Sequence, residues 1–307
     1  MIVFIRQRLL LAIPTVFAVS IAVFLMLHLI PGDPASIYLG DQLATPERLE
    51  RIRQEMGLDR PIHVQYLDFV GRALQGDLGR SLQNGRPVAL ELSERLPRTA
   101  ELAAAAFLVS LLFGVSLGIL SALRHNTWVD TLSMFVALVG VSMPIFWLGL
   151  LAILVFSIQL SWFPITGQQG LVSLVLPAMV LGIVSSATLA RLVRSSMLEV
   201  LRNEYVTTAR AKGLRERVVV RRHALKNALI PVVTVLGLEV GSLLSGAVIT
   251  ETVFARPGIG KLIVDSIQSK DFTVVQGGVL FVAVVYVVVN LAVDVSYAFL
   301  DPRIRLS

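Results

Sequence analysis

Six long apolar blocks run through this chain, and few folds can hold them. They cover residues 9–30, 99–123, 131–158, 171–189, 228–249 and 274–299, each near the ~20 residues that cross a bilayer as a helix. Inside hydrocarbon every backbone N–H and C=O needs a partner within the protein, so a span is a helix or a strand of a closed barrel. Barrel strands would alternate apolar and polar residues over ~10 positions; these blocks do not. The expected fold is therefore all-α, a polytopic membrane protein with about six transmembrane helices. The fourth block is the weakest, because Pro177 and several serines interrupt it. Charged residues make up only 16% of the chain, against ~25% in a soluble domain, and the mean hydropathy is +0.76.

The net charge of +6 raises the question of nucleic acid. The basic residues sit in loops between apolar blocks and carry no interleaved aromatics, a pattern of membrane topology rather than of a nucleic-acid footprint. No nucleic-acid partner is expected, and membrane lipid is. The chain has no cysteine, which excludes disulfides, iron–sulfur clusters and cysteine-ligated zinc. Arg6 and Arg8 ahead of an apolar run resemble the start of a signal peptide. That run exceeds the ~7–15 residues of a signal core and ends in Pro31-Gly-Asp-Pro34 without a small-x-small cleavage site. It reads as an uncleaved first span.

Lysine and arginine set the expected orientation. With the N-terminus in the cytoplasm, the inner segments hold Arg6 and Arg8, Arg124, ten basic residues between Arg191 and Lys226, and Arg303 and Arg305, fifteen altogether. The short outer loops hold three, Arg256, Lys261 and Lys270. The segment 31–98 carries nine more, but loops longer than ~60 residues cross regardless of charge. Both termini are expected inside. The outer segment 31–98 should be a small helical cap. Thr45-Pro46-Glu47 reads as a helix start, with a capping residue, proline in the first turn and an acid near the positive end. Leu49, Ile52 and Met56 follow at helical spacing and Gly57 fits the end. A second amphipathic stretch runs from Pro61 to about Gln75. With no internal repeat or linker, residues 1–307 are expected to form one transmembrane domain.

Three patterns mislead. Gly114-Val-Ser116-Leu-Gly118 matches the nucleophile elbow, which needs a strand-to-helix turn; here it lies inside a span, no His/Asp pair completes a triad, and Gly114 and Gly118 fit close helix packing instead. Pro257-Gly-Ile-Gly260-Lys261 resembles a phosphate loop. Ala255 stands where the first glycine belongs, however, and Leu262 stands where Ser or Thr should follow the lysine. His28, His63, His125 and His223 are scattered without ligand spacing. No catalytic residue, metal site or cofactor is expected on this chain, which also lacks the means to bind ATP.

The segment 191–227 is more informative. Met197, Leu201, Tyr205 and Thr208 or Ala209 mark one helical face, Gly213 breaks it, and Val218–Lys226 forms a second, basic amphipathic stretch leading to Asn227 and Pro231. A short helix closed by glycine and held between two spans would make a rigid knob for a partner protein. A positive-inside loop of no further role is the plainer alternative.

Glu204-Tyr-Val-Thr-Thr-Ala-Arg-Ala-Lys-Gly213, followed by Arg222-His-Ala-Leu-Lys-Asn-Ala-Leu-Ile-Pro231, resembles the EAA loop of binding-protein-dependent ABC importer permeases, in the form found in dipeptide, oligopeptide, nickel and glutathione systems. Pro31-Gly-Asp-Pro-Ala35, Gly76-Asp-Leu-Gly-Arg-Ser81, Glu251-Thr-Val-Phe-x-x-Pro257-Gly-Ile-Gly260 and Leu300-Asp-Pro-Arg-Ile304 also resemble that family's segments. The ending and the first signature look like the first of the two permease subunits in such systems. Thr207 and Thr208 depart from the general motif, where Glu and Ala stand. The resemblance implies an ABC type I importer permease-like bundle in the inner membrane, with no enzyme activity of its own. Its implied partners are a second homologous permease, two ATP-binding subunits that carry ATP and magnesium, and an external solute-binding protein. Glu204, Tyr205, Ala209, Arg210, Ala211 and Gly213 are then the expected coupling residues. Gly213 would permit a sharp turn, and small Ala209 and Ala211 a close approach.

Two acids lie within the spans, Glu239 and Asp294. Intramembrane carboxylates are expensive and by default functional candidates. Both could line the translocation path and meet an ammonium group or a cation; burial in a hydrogen-bonded site, or against the partner permease, is the alternative. A self-contained ion-coupled transporter would want paired repeats and membrane-embedded charge pairs. Dipeptides or short oligopeptides are the first expected cargo, then glutathione, then chelated nickel.

Overall fold

A computed structural model of the chain describes residues 2–29, 36, 45–55, 58–165 and 170–300. Its elements are α1 (Ile2–Leu29), α2 (Pro46–Glu55), α3 (Ile62–Leu74), α4 (Val88–Leu123), α5 (Trp128–Ser142), α6 (Ile145–Ala152), α7 (Val172–Leu201), α8 (Glu204–Ala211), α9 (Leu225–Val253), α10 (Ile259–Gln268) and α11 (Phe272–Leu300). Widened π-helical turns extend α6 over Ile153–Gln159 and precede α9 over Val219–Ala224. Among the described residues four helices are long and apolar enough to cross a membrane, and α5 with the α6 stretch makes a fifth span if the bent pair counts as one. Leu10–Met26 adds a shorter apolar helix within α1. Each of the six apolar blocks is helical over most of its described residues.

Three boundaries differ from the sequence reading. The third block is two helices meeting at 105°. Met143 is extended (ψ 133°) and Pro144 caps α6, as expected where proline pushes the residue before it out of the helical region. The fourth block, by contrast, is unbroken: α7 carries Pro177 buried in its interior and continues through Arg191 and Arg194 to Leu201. Neighbouring helices in a membrane protein can re-satisfy the carbonyl that a proline frees. The segment 31–98 ends in helix, since α4 starts at Val88 and carries Pro97 within it. In that segment α2 and α3 stand where helices were expected, and Met56 and Gly57 lie outside the described residues.

The chain divides into two compact units, Met1–Pro97 with Pro257–Ser307, and Arg98–Arg256. In the first, α1 packs on α11 and α3. Phe24 of α1 meets Tyr66 of α3 edge-on at 5.3 Å, and Ser20 and Tyr66 share a 2.8 Å hydrogen bond. The loop after α3 turns through Gly79 (φ +84°) and folds back, so that the Ser81 amide donates to Arg86 O at 2.9 Å. Val88, Leu92, Ile259, Ile263 and Val274 form this unit's core.

In the second unit α7 is central, packing on α9 and on α5. The Gly114 and Gly118 pair serves this packing: a Cβ on Gly114 would lie 2.8 Å from Leu189 Cβ, and one on Gly118 would lie 2.6 Å from Val193 Cβ. Backbones approach closely here because no side chain intervenes.

Candidate coupling loop and intramembrane acids

The helical face read through Met197, Leu201, Tyr205 and Ala209 is two helices, with a break at Arg202–Asn203. Asn203 is extended (φ −69°, ψ 146°) and starts α8. From α8 only Val206 and Ala209 turn inward, where they pack on Val219 and against Val200 and Leu201. Val219 belongs to the stretch entering α9, so this small core binds α8 to the stems of two long helices. Burying one valine stabilises such a contact by about 1.5–3 kcal/mol, enough to hold a helix of eight residues that would not persist alone.

The end of α8 is a Schellman turn. Gly213 N–H donates to Arg210 O at 2.9 Å, Leu214 N–H donates to Ala209 O, and Gly213 has φ +79°, a region that L residues enter at a cost. Nothing lies within 4 Å of where a Gly213 Cβ would stand, so glycine is needed for its backbone and not for space. Arg210 donates two hydrogen bonds to Glu216, at 2.7 and 3.1 Å. These bonds raise the Arg210 guanidinium above its ordinary value; a slight loss of solvent opposes them, and the charge of Glu216 adds to the rise. Asn227 Nδ2 donates to the Tyr205 hydroxyl at 2.8 Å. Of the expected coupling residues, Glu204, Tyr205, Arg210, Ala211 and Gly213 are exposed and Ala209 is buried. Its small side chain admits Val219 in this structure, within the loop's own core.

Glu239 is mid-helix in α9 and half-buried. Ser110 Oγ donates to its Oε1; its Oε2 is buried without a hydrogen-bond partner among the described residues. Asp294 lies on α11, in the other compact unit, and its side chain lies outside the described residues.

Two family models match the chain in tandem, the N-terminal membrane component of binding-protein-dependent transport systems over residues 1–103 and the inner membrane component of such systems over residues 114–306. The chain belongs to the binding-protein-dependent transport system inner membrane component family. Among its relatives the dipeptide transport system permease protein DppB of Alkalihalophilus pseudofirmus is 43% identical, across 99% of this chain and 100% of its own length. The di/tripeptide permease DppB of Pseudomonas aeruginosa is 44% identical, across 99% of each. The glutathione permease GsiC of Escherichia coli K12 is 43% identical, again across 99% of each. A crystallised amino acid ABC transporter with histidines shares the fold, with a TM-score of 0.54 and 17% identity over 69% of this chain and 94% of that one.

Four buried acids in this family member escaped the sequence reading, Glu91, Asp130, Glu251 and Asp271. Asp130, 5% exposed at the start of α5, accepts from Arg194 and Ser121. Sequence alone placed Arg194 in a loop, so no basic partner within a span was expected. Glu251, read as an outer-loop residue, is fully buried in α9 and accepts from Thr99 Oγ1 at 2.6 Å. For Asp130 and Glu251 the available signal was a charge within one turn of an apolar block, which is expensive unless paired.

Proposed function

We propose that this chain is the membrane-spanning subunit of an ATP-driven importer for dipeptides or short oligopeptides, with α8 as its contact to a separate ATPase. The observation that carries this reading is its end-to-end similarity to dipeptide and di/tripeptide permeases, across 99% of the chain. Glutathione, itself a short peptide with a free amine, is a second reading favoured by the equal similarity to a glutathione permease. The importer holds a second homologous permease, two ATPase subunits carrying ATP and magnesium, and an external solute-binding protein. This chain contributes no catalysis, and both of its termini face the cytoplasm. Glu204, Tyr205, Arg210 and Ala211 present the exposed face of α8 to the ATPase, while Ala209 and Gly213 hold its shape. A short helix clamped to the stems of α7 and α9 converts ATPase closure into movement of both. Glu239 and Asp294 line the path.

The test is purification of the tagged chain in mild detergent, with mass spectrometry of its partners and ATPase activity of the eluate. A second permease, ATPases and stimulation by dipeptide-loaded binding protein are expected. A clean monomer without ATPase would overturn the reading in favour of an ion-coupled transporter.

A further inference from the structure

Glu239 borders a cavity of about 220 Å³ between α7 and α9, lined also by Ser185, Thr188, Ser242, Val235 and Leu238. Three hydroxyl-bearing residues and Glu239 are thus among its lining, in two helices that are otherwise apolar enough to span a membrane. Thr188 and Ser242 are exposed and Ser185 is half-exposed. Helix surfaces that meet lipid tails do not gather hydroxyls around an acid; such groups face a partner or a wet cavity. The carboxylate is also incompletely matched. Ser110, fully buried, donates to Oε1, whereas Oε2 is buried and lacks a partner among the described residues. A buried acceptor left unpaired is unfavourable; Glu239 also lines the cavity, so a cation there would act on the carboxylate through its charge.

Size narrows the ligand. Pockets that enclose a whole small molecule run to ~300–1,000 Å³, while one water occupies ~30 Å³. This cavity takes a charged end group and its first carbons, not a peptide. A cationic end with three N–H donors matches one carboxylate oxygen and two or three hydroxyls.

We propose that Glu239, with the hydroxyls of Ser185, Thr188 and Ser242, forms a subsite for a primary ammonium group, the amino terminus of a short peptide in transit. The proposal rests on the importer reading above and deepens it. It makes the chain a selector of cargo and not only a passage.

The chain's lack of cysteine supplies the test. Ser242→Cys is introduced, the complete importer is purified, and the variant is labelled with a trimethylammonium or a sulfonate methanethiosulfonate reagent of similar size. Rates are read on this chain by intact mass. Against the ratio that the two reagents show with a small free thiol, the cationic reagent should be favoured at least about tenfold further, as expected of a nearby carboxylate at low effective dielectric. Adding Glu239→Gln should reduce the preference below about threefold, and Glu239→Asp should retain it. Dialanine should slow the cationic reagent, and N-acetyl-dialanine should not. A reagent ratio no greater than that of a free thiol with Glu239 present, no reaction at the introduced thiol, or equal protection by the two peptides would each overturn the subsite. ATPase stimulation by dipeptide-loaded binding protein, measured on the unaltered importer, judges the importer reading separately.

Discussion

Arg194 donates to both carboxylate oxygens of Asp130, through Nε to Oδ1 and through an Nη to Oδ2, each at 2.8 Å. The Asn126 amide adds a third donor at 3.1 Å and Ser121 a fourth. His125 Nδ1 lies 3.2 Å from both Oδ2 and an Nη of Arg194. The pair fixes the start of α5 to α7, seven residues before α7 ends at Leu201 and the loop carrying α8 begins. Bidentate pairing gives direction as well as attraction, so the stem of α8 is held in register with the turn between α4 and α5.

Breaking one side of this pair should be worse than removing both. Asp130→Asn or Arg194→Met leaves a buried charge unmatched and should destabilise by about 3 kcal/mol, the lower end for such pairs because Arg194 is partly exposed. Asp130→Leu combined with Arg194→Met should recover most of that loss. Thermal unfolding of the purified chain in detergent reads the difference. Single variants as stable as the original would show that the pair contributes nothing.

The conformational role of Gly213 yields a graded series. A Cβ there meets no atom, so side-chain size should matter less than tolerance of a positive φ. The left-handed region costs about 1–2 kcal/mol for most L residues, and Asn enters it more readily. Peptide-stimulated ATPase activity should fall in the order Gly, Asn, Ala, Val, with subunits still co-purifying. Gly213→Val activity equal to that of Gly213→Asn would refute the backbone account.

Helix positions were readable because apolar length is a local property. The helix closed by Gly213 was readable for the same reason. What escaped depends on neighbours. Pro144 ends a helix and Pro177 does not, although both follow apolar residues; whether a freed carbonyl finds another donor is decided by packing. Leu201 and Tyr205 have helical spacing, but the chain bends at Asn203 because Val206 and Ala209 close on Val219. Arg194 looked like a positive-inside charge until α7 carried it alongside Asp130. The cavity beside Glu239 needs α7 and α9 side by side, and no single stretch of sequence displays that.

Close packing of α4 on α7 predicts unequal effects for two alanine substitutions. Gly118→Ala would place its methyl 2.6 Å from Val193 Cβ and 2.7 Å from Ala190 O. The helices must part, with a loss of about 1–3 kcal/mol. Gly71 of α3 has nothing within 4 Å of its Cβ site, so Gly71→Ala should stabilise by about 0.5–1 kcal/mol through helix propensity. Opposite shifts in unfolding temperature are expected; equal shifts would sink the packing argument.

Asp271 should control the order of the loop between α3 and α4. It is 2% exposed and accepts from Ser81 Oγ at 2.5 Å and from the amides of Leu82 and Gln83 at 3.1 and 3.4 Å. It also caps α11 through the Val274 amide at 3.3 Å. One carboxylate thus satisfies a helix start and a loop almost two hundred residues earlier in the chain. Hydrogen bonds to a charged acceptor contribute about 1.5–3 kcal/mol each when measured singly, and they are not additive. Asp271→Ala should release the loop locally without unfolding the bundle, because its donors are confined to the loop and the first turn of α11. Hydrogen exchange should then quicken by at least about a hundredfold at Leu82, Gln83 and Val274, equivalent to roughly 3 kcal/mol, while amides of α7 keep their protection. Asp271→Asn, whose amide oxygen still accepts, should lie between. Uniform exchange changes across both regions would mean that Asp271 supports the whole bundle instead of organising this loop.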